Sequence, residues 1–178
     1  AVHAERLEPS AGPNSGGTVA RAYGSGFMQQ AGSACRFGES VGVVEAVVRS
    51  STVVECTSPS ITGSGSGSMH VSVEVSNNAR EFTSDGVQFT FFNASEAVIE
   101  GVAPVGGPTE GGTLVTLSGR GFVDRGGVYC RFGASAAAVV AATRLSDTRL
   151  KCVSPAETEI GAAALGLTLN ANLSAFVM

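Results

Sequence analysis

The amino-acid sequence predicts an all-β chain that folds as two tandem β-sandwiches. Three observations support this fold class: an internal repeat, apolar residues that alternate with polar ones, and Gly, Pro, Asn or Ser at regular short intervals. Alternation with a period of two is typical of half-buried strands, and short runs between turn signals are typical of sandwiches of roughly seven strands. The chain has 178 residues, which is enough for two small domains.

The repeat is a series of Pro, Gly, Cys and Phe residues that recurs 95 positions later without a gap. The first copy has Pro9, Pro13, Gly16-Gly17-Thr18, Gly24, Gly26-Phe27, Cys35 and Phe37-Gly38. The second copy has Pro104, Pro108, Gly111-Gly112-Thr113, Gly119, Gly121-Phe122, Cys130 and Phe132-Gly133. One inserted residue then aligns Cys56 and Pro59 with Cys152 and Pro155. The series therefore predicts two homologous domains of about 95 residues.

One strand in each copy shows the alternation directly. Apolar side chains occupy every second position, at Val71, Val73 and Val75 in the first copy and at Leu165, Leu167 and Leu169 in the second. The Ala-rich segment from Ala134 to Ala142 has helical propensity, but it contains the β-branched Val139 and Val140. Because it aligns with the Val-rich segment from Val41 to Val48, we predict a strand there as well.

The glycine pairs of the repeat are interpreted as turns. Gly16-Gly17 and Gly111-Gly112 stand between a Pro-marked turn and a β run, where glycine adopts positive φ at no steric cost. Gly24-Ser25-Gly26 and Gly119-Arg120-Gly121 are similar to the start of a dinucleotide-binding fingerprint. No helix follows them and the third glycine is missing, so we interpret them as turns or bulges.

These residues resemble a known family, the IPT/TIG domains found in plexins, the hepatocyte growth factor receptor group, fibrocystin-like proteins and some transcription factors. The shared pattern is Pro, Gly-Gly-Thr, Gly-x-Gly-Phe, Cys-x-Phe-Gly and Cys-x-x-Pro, followed by an alternating strand. The resemblance covers residues 6–92 and 99–178. It implies early-set immunoglobulin-like sandwiches of the extracellular plexin or fibrocystin-like type, which serve as spacers or protein-binding units. The absence of Trp independently disfavours the antibody type.

We expect domain 1 over residues 1–92, a linker over 93–97 and domain 2 over 98–178. The first copy continues through Val87 to Phe92, which predicts a final strand, whereas the second copy stops at Met178, just after Phe176. We therefore expect the final strand of domain 2 to lie beyond Met178 or to come from another chain. Because the chain starts at Ala1 rather than Met, we expect it to be part of a longer protein.

The four cysteines form one pair in each copy. Of the three possible connectivities, we predict intradomain disulfides, Cys35 with Cys56 and Cys130 with Cys152, since this pairing treats the two repeats alike. A zinc site is the alternative, but no Cys-x-x-Cys motif occurs, and His3 and His70 lie far in sequence from the cysteines. Disulfides predict an oxidising compartment.

Two N-glycosylation motifs, Asn93-Ala94-Ser95 and Asn172-Leu173-Ser174, support a secretory location. Asn93 lies between the domains, and Asn172 follows an alternating strand, with Asn78 as its counterpart in the first copy. We expect both sites to be exposed and interpret Asn77-Asn78 as an ordinary turn. The segment from Thr62 to Ser68 has the composition of a flexible surface loop, with an O-glycosylated or partner-binding loop as the alternative.

Composition excludes several classes of function. The net charge is −4 and the basic residues are scattered, so nucleic acid is not an expected partner. No apolar run is long enough to span a bilayer, and we expect no membrane insertion of this segment. Neither histidine has an evident nucleophile or carboxylate partner, and the three aspartates, Asp85, Asp124 and Asp147, are dispersed. We expect no catalytic, metal or cofactor-binding residues.

The sequence thus predicts a non-catalytic fragment of a larger extracellular or cell-surface glycoprotein. Its modules would act as structural spacers and interaction units in a surface coat, a fibre, a ciliary or flagellar appendage or an adhesion protein. The expected partners are other protein chains or further modules of the same chain, together with N-glycans. The alternative is the stalk of a plexin-like or growth-factor-receptor-like signalling ectodomain, and a third possibility is an accessory module of a carbohydrate-active enzyme.

Overall fold

The computed structural model of the chain describes residues 1–62, 67–133, 138–156 and 161–170. It divides into two compact units, Ala1–Asn93 and Ala94–Met178. In the described residues of both units, nearly all of the regular secondary structure is β-strand, as the sequence predicts. The predicted linker over 93–97 stays a prediction. Within that range Ala94–Glu96 form a short 3-10 helix and Ala97 is buried in the core of unit 2.

Unit 1 contains eight strands and one short helix. They are β1 (His3–Glu8), β2 (Ala11–Pro13), β3 (Val19–Ser25), β4 (Ala34–Phe37), α1 (Gly38–Val41), β5 (Gly42–Ser50), β6 (Val53–Thr57), β7 (Ser68–Ser76) and β8 (Val87–Phe92). The hydrogen-bonded order is β1-β3-β6-β5-β4-β7-β8-β2. The strand predicted from Val41 begins one residue later, because Val41 ends α1.

Strand β5 belongs to both sheets of the sandwich. Its first half pairs with β4, where Val44 lies opposite Cys35, and its second half pairs with β6, where Ala46 lies opposite Cys56. One sheet therefore consists of β1, β3, β6 and the end of β5. The other consists of the start of β5 with β4, β7, β8 and β2.

Unit 2 repeats this plan with six strands in the described ranges. They are β9 (Val98–Ala103), β10 (Leu114–Arg120), β11 (Tyr129–Phe132), β12 (Val139–Ser146), β13 (Arg149–Val153) and β14 (Leu165–Thr168), in the order β14-β11-β12-β13-β10-β9. Strand β12 changes partner as β5 does, from β11 to β13. The strand predicted over 134–142 is present from Val139, and residues 134–137 lie outside the described residues.

Each core lies between its two sheets. In unit 1 one sheet contributes Ala4, Leu7, Ala20, Ala22, Val54 and Cys56, and the other contributes Cys35, Phe37, Val71, Val73, Val75, Phe89 and Phe91. Three of these rings contact one another, with centroid separations of 5.3 Å between Phe37 and Phe89 and 5.0 Å between Phe89 and Phe91. Edge-to-face contacts of this kind add to the stabilisation from burial. Burial of Val71, Val73 and Val75 confirms the alternation predicted for β7.

Strand β14 does not show the predicted alternation of buried and exposed residues. The residue that corresponds to Asn78 of the first copy also differs from the one predicted. In both copies a strand hydroxyl donates to an asparagine Oδ1 two residues later at 3.0 Å, from Ser76 to Asn78 and from Thr168 to Asn170. The counterpart of Asn78 is therefore Asn170, and the equivalence with Asn172 is wrong. From the second cysteine to the residue paired with the first, the chain runs 19 positions in unit 1, Cys56 to Val75, but 15 in unit 2, Cys152 to Leu167, and this difference moves the register. Thr168 is buried rather than exposed, because Asn170 satisfies its hydroxyl.

The Gly-Gly-Thr motif is explained by a close approach to the Cys-x-x-Pro motif. Gly16 has φ of 78°, and a Cβ placed on it would lie 2.6 Å from the carbonyl carbon of Pro59. In unit 2, Gly111 has φ of 75°, and its Cβ would lie 2.6 Å from the same atom of Pro155. Gly17 has φ of 82° but faces open space. The two motifs therefore occur together because one packs against the other.

We predict that Gly16→Ala and Gly17→Ala destabilise unit 1 to different extents. Both place a Cβ in the left-handed region, which costs about 1–2 kcal/mol per residue. Gly16→Ala also forces an overlap with Pro59 backbone, which adds roughly 1–3 kcal/mol. Urea unfolding followed by circular dichroism measures both free energies of unfolding. Equal losses in the two variants would contradict the packing argument.

Candidate functional site

A disulfide joins the two sheets of each unit. Cys35 on β4 is bonded to Cys56 on β6 with Cα atoms 6.0 Å apart, and Cys130 on β11 is bonded to Cys152 on β13 with Cα atoms 6.5 Å apart. All four cysteines are buried in the two cores. The chain therefore has no free thiol that could act as a nucleophile or bind a metal.

Asn93 lies at the end of unit 1, directly after β8 and before the 3-10 helix of Ala94–Glu96. Its side chain is half-buried rather than fully exposed, and it takes part in an interaction within the chain. The preceding residue, Phe92, accepts a hydrogen bond from the backbone N–H of Asn14 at 2.8 Å. Glycosylation of Asn93 stays a prediction. Asn172 and the central residues of the Thr62–Ser68 loop, 63–66, lie outside the described residues.

Both histidines have partners that the sequence does not reveal. His3 Nδ1 lies 2.6 Å from Asp85 Oδ1, and the second oxygen of Asp85 accepts the backbone N–H of Ala4 at 2.7 Å. This pair fastens β1 to the loop before β8. His70 Nδ1 lies 2.9 Å from Thr90 Oγ1 on the neighbouring strand. Among the described residues neither histidine is bonded to both a carboxylate and a nucleophilic hydroxyl or thiol, so neither forms a catalytic triad.

The other candidate catalytic carboxylates have structural roles or stand apart. Asp124 Oδ1 accepts the backbone N–H groups of Gly126 and Gly127 at 3.0 and 2.8 Å, so this side chain stabilises a local turn. Asp147 lies in the β12–β13 turn, where its backbone carbonyl accepts the N–H of Phe122 at 2.9 Å. Within the described ranges, no three His, Cys, Asp or Glu side chains are grouped so that they could hold a metal ion.

A row of charges crosses the outer face of unit 1. Glu55 on β6 accepts hydrogen bonds from Arg49 Nη2 at 2.6 Å and from Arg21 Nε at 3.0 Å. The hydrogen bond from Arg49, and to a smaller extent the one from Arg21, lowers the pKa of Glu55 below its ordinary value of 4.5, although burial acts in the opposite direction. On β1, Arg6 stacks over the ring of Tyr23 at 3.7 Å from its centroid. The sequence alone does not predict this row, because the partners become neighbours only through the strand register.

The same face differs in unit 2. The register places Lys151 on β13 between Thr116 and Thr143, where unit 1 has Glu55 between Arg21 and Val47. Lys151 makes no ion pair with a described residue. The two modules therefore share a core plan but present outer faces of different charge.

None of the helices in the described ranges has the length and apolar character needed to cross a bilayer.

The chain is similar in sequence and in fold to known proteins. A family model described as IPT/TIG domain matches residues 4–91 and 97–175. The chain is 31% identical over 170 residues to Plexin-2 of Caenorhabditis briggsae, an alignment that covers 90% of this chain and 9% of that protein. Two structures of the plexin A4 extracellular region are similar in fold. One, of domains 1 to 10, gives a TM-score of 0.67 at 18% identity and covers 99% of this chain and 15% of that chain.

The second plexin A4 structure, with domains 1 to 8, gives a TM-score of 0.57 at 17% identity and covers 99% of this chain and 17% of that chain. At such identities the likeness concerns the fold alone. The chain spans less than a fifth of the length of each of these three relatives.

We predict that Glu55→Gln destabilises unit 1 in a pH-dependent way. The folded-state pKa of Glu55 is lowered, so its contribution is present above its ordinary value of 4.5 and is lost as the pH falls through the lower folded value. At neutral pH the loss is up to about 1 kcal/mol, as for charge pairs near a surface.

The measurement is urea unfolding of the wild type and the variant between neutral and strongly acidic pH. The matched control is Glu100→Gln. Glu100 pairs with Arg120 and its side chain is 53% exposed, compared with 12% for Glu55, so this substitution is expected to change the free energy of unfolding less. If the difference in free energy of unfolding between wild type and Glu55→Gln stays constant down to acidic pH, the lowered pKa of Glu55 is contradicted.

Proposed function

The chain belongs to the IPT/TIG domain family, and on this premise we propose that it is a non-catalytic part of a larger extracellular or cell-surface glycoprotein. Its two modules act as structural spacers and as units of protein–protein interaction. The observation that carries the proposal is the buried disulfide that joins the two sheets of each module. Such bonds form and persist in oxidising compartments, which include the cell surface and the extracellular space.

The arrangement of side chains supports a binding role rather than catalysis. The described side chains of unit 1 that point outward from β3, β5 and β6 are engaged in lateral ion pairs or stand exposed, and none lines a catalytic constellation. Sandwich faces of this kind suit contact with other protein chains or with further modules of the same chain. Surface coats, fibres, ciliary or flagellar appendages and adhesion proteins are the settings we propose.

A second candidate function is the stalk of a signalling ectodomain. It is favoured by the 31% identity to Plexin-2 and by the fold shared with the extracellular region of plexin A4. A parent chain with a membrane span and a cytoplasmic signalling domain would favour the stalk, whereas many further modules would favour the spacer.

We predict that the disulfides limit the extension of each module under force. While Cys35 is bonded to Cys56, the chain segment between them, a sequence separation of 21 residues, cannot be stretched. Reduction is therefore expected to lengthen unfolded unit 1 by about 70 Å, at the reach of an extended chain. Single-molecule stretching with and without reductant measures this difference. The Cys35→Ser and Cys56→Ser double variant is the control and should match the reduced wild type. The same length in both redox states would contradict the spacer mechanism.

We predict that Asn93 carries an N-glycan when the chain is made through a eukaryotic secretory pathway. Enzymatic release of the glycan converts Asn93 to Asp, which peptide mass spectrometry detects. Ser95→Ala, which removes the acceptor motif but keeps Asn93, is the matched control and should abolish the signal.

Antibodies against the chain should label intact cells of the native source. Labelling that requires permeabilised cells would contradict the proposed location.

A further inference from the structure

Strand β5 presents an acidic strip with apolar neighbours. Val43, Glu45 and Val47 stand at alternate positions, and all three point outward, with Val43 54% and Val47 44% exposed. Glu45 makes no hydrogen bond or ion pair with its side chain in the described part of the chain. We call Val43, Glu45 and Val47 the acidic strip. It combines one uncompensated carboxylate with two exposed aliphatic side chains.

Strand β13 of unit 2 presents the opposite pattern. Arg149, Lys151 and Val153 stand at alternate positions on its outer face, and we call them the basic strip. Val153 is 49% exposed and lies opposite Leu114, which is also exposed. Arg149 and Lys151 form no ion pair within the described ranges. As far as the described residues show, the basic strip therefore combines charges that have no ion-pair partner with exposed aliphatic surface.

Each strip occurs in one module of the chain and not in the other. The register of β12 and β13 places Ala141 and Thr143 where the acidic strip has Glu45 and Val47. In unit 1 the position of Lys151 is held by Glu55, which Arg21 and Arg49 neutralise. The two modules thus carry complementary surfaces at different places on the same fold.

We propose that the acidic strip of one copy of this chain docks on the basic strip of a second copy. Glu45 would lie against Lys151 and Arg149, and the valines of the acidic strip would cover Val153 and Leu114. Burial of the aliphatic groups excludes water from the charges and strengthens their attraction. The contact joins two different surfaces, so it is heterologous and extends into rows unless its rotation closes a ring. The inference rests on the proposed function of the modules as interaction units and names their partner.

Lys151 is the sole lysine of the chain, which makes the proposal directly testable. A carbodiimide activates the Glu45 carboxyl, and the Lys151 amine attacks it to form an amide, with release of the urea by-product and net loss of one water. In an equal mixture of unlabelled and 15N-labelled chains, we expect a Glu45–Lys151 cross-linked peptide that carries one labelled and one unlabelled half. Cross-links with both halves of the same label only would place the contact within one chain and overturn the proposal.

Variants separate the charge from the reactive amine. Lys151→Arg keeps the charge, so self-association in sedimentation velocity should persist while the cross-link disappears. Glu45→Lys is expected to raise the dissociation constant at least about tenfold. The combination of Glu45→Lys with Lys151→Glu should restore association. Glu81→Lys, which alters an exposed carboxylate elsewhere in unit 1 by the same charge, is the matched control and should have little effect. Circular dichroism checks that each variant is folded.

Several outcomes would overturn the inference. One is a chain that stays monomeric at low salt into the high-micromolar range, and another is an equal effect of Glu45→Lys and Glu81→Lys. Binding of heparin to a monomeric chain, lost in Lys151→Glu, would assign the basic strip to sulfated polysaccharide instead. None of these results affects the proposed function, whose tests are surface labelling and stretching of a single chain.

Discussion

The constraint on which each module depends is the covalent bond between its two sheets. Cys35 and Cys56 belong to strands of opposite sheets, so their disulfide fixes the sheets face to face. The buried core between them contains four Ala, four Val and four Phe residues, and the chain has no Trp. A domain of this size buries a modest apolar area. A bond that closes a loop of about 20 residues adds roughly 3 kcal/mol by restricting the unfolded chain.

Once the sheets are fixed, their outer faces can change without loss of the fold. The repeat preserves residues that turn the chain or fill the core, such as Gly16, Phe27 and their counterparts Gly111 and Phe122. Outward positions on the same strands diverge, and the exchange of Glu55 for Lys151 reverses a charge. Duplication followed by change at outward positions thus produces two surfaces on one scaffold.

Much of this fold could be predicted from the sequence because its signals are local. Alternation identified β7, and the repeat identified the two units. The charge row through Glu55 could not be predicted, since its arginine partners lie on two other strands whose register the sequence does not state. The His3–Asp85 contact joins residues 82 positions apart and has no local signal. The sequence also does not predict that β5 changes partner from β4 to β6, because the pattern of side chains along the strand is the same before and after that point.

That change of partner restricts how the module can evolve. An insertion in the middle of β5 would shift its register against β4 or β6 and turn half of its side chains to the opposite face. The two copies in this chain do differ by one residue in this region, yet the difference falls before the strand. Cys35 lies opposite Val44 and Cys130 opposite Val140, so the extra residue is absorbed between the first cysteine and β12. Changes of length are therefore confined to connections, and the strand shared by both sheets keeps the repeat in frame.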